Sequence, residues 1–267
     1  MSEPALQKQI TAATTYETLF VPALFAQWAP TLAEAAHIRP GQRVLDVACG
    51  TGVLAREIVS RVGPSGHVVG IDAGPGMIAV ARKLSAAIEW REGVAEELPF
   101  PDQSFDAVVS QFGLMFFTSR EQALREMLRV LVPGGRLALA VWNSVDSMPA
   151  YQAELALLDK LAGPQAATAL SAPFAMGDLG ALTATFAAAG IASVDIATHV
   201  GTANFPSIRT MVEADLRGWL PVMGVSLDEG LIRVILDQAE IVLSRFAAAD
   251  GRGQFQLSAH LATALKR

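Results

Sequence analysis

Two glycines, Gly50 and Gly52, follow directly on the apolar stretch 44–47, and a helix-forming stretch continues from them to about Arg61. Glycine permits a sharp turn and a close backbone approach that a Cβ would obstruct. A helix that begins at such a turn points its free N–H groups at whatever lies there. Twenty residues after Gly52 stands Asp72, at the end of a second apolar stretch, 67–71. When two such stretches are adjacent parallel strands their C-terminal ends meet, and a carboxylate there accepts two hydrogen bonds from a ribose diol. This spacing predicts an adenosine ligand. Taken alone, Gly50-x-Gly52-x-x-Ala55 also satisfies the dinucleotide fingerprint, and a plain tight turn gives the same pattern. Asp46, four residues before Gly50, points away from a dinucleotide. A carboxylate inside the strand end suits a cationic amino group better than a pyrophosphate.

Other reactive side chains are few. His199 ends the alternating stretch 192–199 and is the candidate general base. Cys49 reads as a small buried residue of the turn rather than a nucleophile. As the single cysteine it rules out a disulfide within the chain and any Cys-based zinc site. The four histidines (His37, His67, His199, His260) show no ligand spacing, so the reading is metal-free, with His260 structural or superficial. The formal charge is −6 and no cluster of basic residues occurs, which argues against nucleic acid and anionic membranes as partners. The 52% hydrophobic content is inflated by 46 alanines, and no run approaches the roughly 18 apolar residues of a membrane span. With no basic and apolar leader at the N-terminus, the expected location is the cytoplasm.

The elements that must position these residues alternate. Apolar stretches at 44–47, 67–71, 88–92, 105–110 and 136–142 are separated by helical patterns near 53–61, 76–86 and 120–131, the last stopped by Pro133, Gly134 and Gly135. This alternation implies βαβ units and a doubly wound, mostly parallel sheet. After Trp142 come a helical insertion at 144–173, a helix at 178–189 ended by Gly190, a strand at 192–199, a second helical insertion at 206–250 and a final strand at 254–265. Residues 1–40, broken by Pro22 and Pro30, read as two or three short helices. The expectation is one domain over 1–267, with its core at about 40–143, 174–200 and 253–267. Helical lid additions occupy about 1–39, 144–173 and 206–250.

The segments VLDVACGTG, VVGIDAGPGM, LPFPDQSFD and LREMLRVLVPGGRLALAVW succeed one another across about residues 40–142. In this order and spacing the chain resembles class I S-adenosylmethionine-dependent methyltransferases. Within them it is similar to the small-molecule branch that includes the ubiquinone/menaquinone C-methyltransferases. The resemblance implies a Rossmann-like α/β fold with a seven-stranded sheet, S-adenosyl-L-methionine as cofactor, S-adenosyl-L-homocysteine as product and a small-molecule acceptor. It implies that Ala48, Cys49, Gly50 and Gly52 form the floor under the amino-acid end of the cofactor and that Asp46 sits near its ammonium. Asp72 would hold the ribose, with Ala73 beside it, Met77 would pack on the adenine, and Ala95 would offer its N–H to a ring nitrogen. Gln111 would meet the methionine part, and Tyr16 would belong to an N-terminal lid. Two departures stand out. Val94 occupies a position where the family commonly has an Asp that accepts from the adenine amino group, leaving Glu96 to compensate or the amino group facing water. Ala48 replaces a glycine and is expected to need only an ordinary backbone conformation.

In-line displacement on a sulfonium methyl relies on positioning and on exclusion of water, so no triad or metal is required. The Asn-Pro-Pro-aromatic sequence of amino-methylating nucleic-acid enzymes is absent. Phe112, Phe116 and Trp142, at or just past strand ends, are expected to line the acceptor pocket, and the apolar additions suggest a hydrophobic acceptor. The alternative is a non-methylating S-adenosylmethionine-binding protein that uses the sulfonium in another reaction. The oligomeric state is open, a homodimer included.

Overall fold

The computed structural model describes residues 3–267. Seven strands form one sheet: β1 (Arg43–Val47), β2 (His67–Asp72), β3 (Glu89–Glu92), β4 (Phe105–Gln111), β5 (Leu131–Trp142), β6 (Asp195–Phe205) and β7 (Gly253–Leu265). Their order is β3-β2-β1-β4-β5-β7-β6. Strands β1 to β5 pair in parallel, and β7 runs antiparallel to both β5 and β6. Continuous Val, Leu and Ile runs make β1, β2 and β4 buried on both faces, as a parallel sheet sandwiched between helices requires. The strand order reverses between β1 and β4, which opens a crevice at their C-terminal ends.

Crossover helices α3 (Val53–Val62), α4 (Pro75–Leu84) and α5 (Arg120–Val130) join the parallel strands, preceded by α1 (Glu3–Thr15) and α2 (Trp28–Ala35). The Lys266 ammonium donates to the carbonyls of Leu128 (2.7 Å) and Leu131 (2.7 Å), so the chain end closes the C-terminus of α5. Between β5 and β6 lie α6 (Pro149–Ala162), α7 (Pro164–Ser171) and α8 (Leu179–Ala188). Between β6 and β7 lie α9 (Ile208–Ala214), α10 (Leu220–Val222) and α11 (Glu229–Val242). Helices α6, α7, α9, α10 and α11 share a separate apolar core that includes Leu158, Leu216, Leu220, Ile235 and Leu243. They form a helical cap.

Two departures from the sequence expectation concern helices and one a strand. The N-terminal region does not break at Pro22. α1 runs straight into a π-helical segment, Tyr16–Phe25, that contains Pro22. Proline has no N–H to lose, and a turn wider than α makes room for its ring; Ala26 donates to Val21 in the i→i−5 pattern (2.8 Å). A second π-helical segment, Asp215–Trp219, interrupts the cap between α9 and α10. Strand β6 extends to Phe205, six residues past its expected end, because β7 pairs with it along its full length. Among the described residues no helix is long and apolar enough to cross a membrane, and no cluster of three His, Cys, Asp or Glu side chains could hold a metal ion.

Candidate functional site

The β1–α3 turn is built from left-handed backbone: Ala48 has φ +55°, Gly50 +56° and Gly52 +91°. Ala48 thus departs from the ordinary conformation expected of it, at a cost of roughly 1–2 kcal/mol for an L-residue. Its Cβ is tolerated because the facing residue is Gly113, where a side chain would come within 2.7 Å of it. Gly52 serves a different partner from the expected ligand. A Cβ there would run into the indole of Trp90, and Gly52 does not face the cavity beyond the turn. Cys49 also stays outside that cavity. It is buried against Gly70 of β2, and burial pushes its thiol up, away from thiolate chemistry. The structure therefore brings Ala48 and Gly50 to the floor and keeps Cys49 and Gly52 beneath it.

Register places Asp46 opposite Gly70 and Val47 opposite Ile71, so the ends of β1 and β2 coincide. Asp72 Oδ2 accepts from the Gly50 N–H (2.8 Å) and Oδ1 from the Gly74 N–H (2.7 Å). The carboxylate thereby fixes the turn and faces the cavity with its remaining lone pairs. Burial raises its pKa, and the two N–H groups oppose that rise. Asp46 lies deeper. It is buried below the cavity floor, neither oxygen completes a hydrogen bond, and desolvation raises its pKa well above the ordinary carboxylate range. Gln111, the last residue of β4, donates from Nε2 to the Phe25 carbonyl (3.1 Å), which leaves its buried Oε1 without a partner beside the cavity.

The first π-helical segment closes this region from above. Glu17 pairs with Arg56 (2.7 Å), and Arg56 also donates to the Thr51 carbonyl (2.6 Å), tying the segment to the glycine turn. Tyr16 consequently sits over Gly50 and stacks on Phe25 with centroids 5.3 Å apart. Burial, reinforced by the carboxylates around it, holds its hydroxyl protonated. Ala73, Met77, Val94 and Ala95 line the adjacent stretch, with Val94 47% exposed. Glu96 also reaches the wall, and its Oε1 accepts from the Ser119 N–H (3.1 Å). The loop before β4 is clamped by Arg129, which donates to the carbonyls of Leu98 (2.9 Å) and Phe100 (2.8 Å).

Past β4 the chain again enters left-handed backbone at Phe112, φ +58°. Its ring stacks on Trp142 at the end of β5. Both are largely buried and both line the cavity. Phe116 is 47% exposed and packs on Trp219 of the second π-helical segment, 5.3 Å between centroids. One cavity of about 1120 Å³ joins the glycine turn, Asp72 and Val94 to a chamber walled by Phe116, Trp142, Tyr151, Phe174, Asp215 and Trp219. That volume exceeds what one small ligand usually fills.

The far wall was not anticipated. Asp215 on this wall is 5% exposed with Oδ2 accepting from no donor group, and Glu154 of α6 lies wholly buried behind it, the two carboxyls facing each other. The readable signal is an acid inside an apolar helical stripe: Glu154 lies between Tyr151 and Leu158, and Asp215 follows Met211 and Val212. His199, by contrast, is not brought to the cavity. It lies on β6 in a shallow cleft with His37 and Arg136, which removes it as a base for chemistry at the turn. His260 ties two elements together, facing Thr198 Oγ1 (2.8 Å) and donating from Nε2 to the Gly177 carbonyl (3.1 Å).

This sheet order, with its glycine turn and acid at adjacent strand ends, defines the adenosine-binding half of a class I methyltransferase fold. Residues 44–135 match the methyltransferase domain family. Over 116 residues the chain is 47% identical to the ubiquinone/menaquinone biosynthesis C-methyltransferase UbiE of Ectopseudomonas mendocina, a stretch that makes up 41% of this chain and 45% of that protein. The match thus spans less than half the length of that relative. The fold is shared with the YcgJ protein of Bacillus subtilis (TM-score 0.58, 22% identity, 90% of this chain and 98% of that one). It is shared too with phosphoethanolamine N-methyltransferase 2 of Haemonchus contortus, solved with phosphomonomethylethanolamine and S-adenosylhomocysteine (TM-score 0.59, 16% identity, 97% of this chain and 58% of that one). The chain is similar to class I S-adenosylmethionine-dependent methyltransferases of the UbiE kind.

Proposed function

We propose that the chain transfers a methyl group from S-adenosylmethionine to a small, largely apolar acceptor, leaving S-adenosylhomocysteine. The observation that carries this reading is the single cavity, in which an adenosine-type site opens without a partition into an aromatic chamber under the helical cap. The residues present fit the cofactor. Asp72 offers free lone pairs for a ribose diol, and Ala48 and Gly50 give a floor of backbone. Met77, Ala95 and Val94 give an apolar slot for a base, and the orphaned Gln111 Oε1 is an acceptor for an ammonium. Asp46 lies beneath the floor at that end, where burial favours its protonated form and both oxygens lack a partner. When bound, the cofactor supplies an electrophilic methyl carbon on a sulfonium. The chain's own residues bind, orient and exclude water: Tyr16 and Phe25 cover the turn, while Phe112 and Trp142 line one side of the void where its two halves meet.

In this reading residues 1–267 act as one catalytic unit, with 1–39, 144–173 and 206–250 as its lid. Its partner is a small molecule rather than nucleic acid, which the charge of −6 and the lack of basic clusters in the sequence support, and its place in this reading is the cytoplasm. Thermal unfolding with added S-adenosylmethionine, S-adenosylhomocysteine or NAD tests the cofactor. Protection by the first two and not by NAD is expected, and the reverse overturns the assignment. Formation of S-adenosylhomocysteine with a panel of phenols, quinones and amines then separates methyl transfer from simple binding.

A further inference from the structure

We propose that the chamber under the cap binds its acceptor through a protonated amine, held by Asp215 with Glu154 behind it, at the end of a mostly aromatic and apolar void. This rests on the reading of that void as the acceptor's site, and it adds the chemical class of the acceptor.

The geometry is of a built site. Asp215, the first residue of the second π-helical segment, lines the cavity while 95% buried, and its Oδ2 has no partner. Glu154 stands behind it from α6, fully buried, facing the Asp215 carboxyl within reach of a shared proton and with no other described group donating to it. Tyr151, one turn before Glu154, lines the same wall. Two buried carboxyl groups without a cation are costly, and the cost is met when a cation arrives from outside.

Among the described residues no side chain supplies that cation. The charged or titratable groups acting on Glu154 and Asp215 are each other, and the same two carboxyls act on Tyr151. Arg217, on the same segment, is engaged by Glu213 (2.9 Å) and by both oxygens of Glu229 (2.5 and 2.8 Å). Lys8 also reaches the cavity, but from α1, which packs on α4 at the adenosine end. Helix α11 turns apolar residues inward against the cap (Ile232, Ile235, Leu236). Around the pair the wall is aromatic (Phe116, Tyr151, Phe174, Trp219), and ring faces attract a cation while repelling an anion.

Burial raises both carboxyl pKa values, Asp215 to about 7, so the pair holds a proton near neutrality. An ammonium R–NH3+ that docks there pairs with the ionised Asp215 carboxylate, and the fraction of Asp215 still protonated at that pH gives up its proton to solvent. A neutral hydroxyl can accept or donate a hydrogen bond at the same place and displaces nothing.

Calorimetric titration of the full chain near pH 7 tests this, with 2-phenylethylamine and tryptamine as probes and their neutral counterparts 2-phenylethanol and tryptophol as controls. Each is run with and without S-adenosylhomocysteine, in two buffers of different ionisation enthalpy. At least one amine should bind about tenfold or more tighter than its alcohol, with net proton release read from the buffer dependence. Asp215→Asn and Glu154→Gln should remove both the preference and the release, while S-adenosylhomocysteine affinity stays unchanged and Asp215→Asn still unfolds in one cooperative transition. An alcohol that binds as well as its amine, no amine binding at millimolar concentration, or a preference that survives Asp215→Asn overturns the proposal. Failure of S-adenosylhomocysteine to bind refutes the parent reading instead, and the titrations without it still decide the amine site.

Discussion

The Phe112 ring lies 3.9 Å from the Trp142 indole and within 13° of parallel, although the Phe112 backbone is held at φ +58°. Phe25 and Trp28 close on the same pair from the N-terminal helices, at centroid distances between 5.6 and 6.0 Å. The stack therefore links a strained strand end, a neighbouring strand end and the N-terminal helices. Trp142→Ala should cost about 3–5 kcal/mol of stability, measured by urea unfolding. Trp142→Phe keeps most of the packing. It should leave cofactor affinity within about twofold while lowering acceptor-dependent turnover roughly tenfold, because only the wall beside the acceptor is reshaped.

Gly52→Ala should destabilise the fold rather than act on a ligand. The new methyl overlaps the Trp90 indole, and φ +91° is unfavourable for any L-residue. A loss of about 2–4 kcal/mol is expected, and the double variant Gly52→Ala, Trp90→Leu should recover part of it. A coupling of zero in that double-mutant cycle would show that the backbone alone is responsible.

Ala48→Gly should move stability the other way. Relieving φ +55° is worth up to about 1 kcal/mol, offset in part by the greater freedom of glycine in the unfolded chain. Thermal unfolding should show no loss, and an appreciable loss would mean that the contact of the Ala48 methyl with Gly113 matters more than the strain.

Asp72→Asn leaves one oxygen for two backbone donors, Gly50 and Gly74. The turn should loosen, and S-adenosylhomocysteine affinity should fall by about 1.5–3 kcal/mol for each charge-assisted hydrogen bond lost. Calorimetry reads the affinity directly, and unchanged binding would detach Asp72 from the ribose.

Stability should decline as pH rises toward neutrality. Asp215, Glu154, Asp46 and Asp72 all have carboxyl pKa values raised above the ordinary range by burial, Asp215 to about 7. The folded chain then holds more protons than the unfolded one from about pH 4 to pH 7. The contribution is complete below the unfolded value and is lost as pH rises through the folded one, at up to about 1.4 kcal/mol per pH unit for each group. Asp215→Asn should flatten this slope without abolishing it, since three raised carboxyls remain. Denaturation at pH 5 and pH 8 checks the sign.

The sheet was legible because each parallel strand is an apolar run bounded by a glycine turn or an acid, and the place of Asp72 at the end of β2 was legible because its distance from Gly52 reflects one βα unit. What escaped the sequence depends on partners far along the chain. Nothing near Gly52 announces Trp90, so a packing glycine looked like a ligand glycine. Ala48 gave no sign of its left-handed backbone, since that is imposed by the turn and tolerated by Gly113. Pro22 suggested a break that a π-helical turn absorbs. Glu154 and Asp215 sit on different helices of the cap, and only the folding of α6 against the second π-helical segment makes them a pair. His199 failed as a base for the same reason, because β7 separates β6 from the strands that carry the site.

The unpartitioned cavity has a consequence for inhibitor design. Two molecules that would bind side by side in one void can be joined into one, so that the second half is delivered at high effective concentration once the first is seated. An adenosine joined through a short alkyl linker to an aromatic group would span from Asp72 to Trp219 without crossing protein. Such a tethered compound loses translational freedom once rather than twice, and its advantage over either half reads out how well the two ends of the void are aligned.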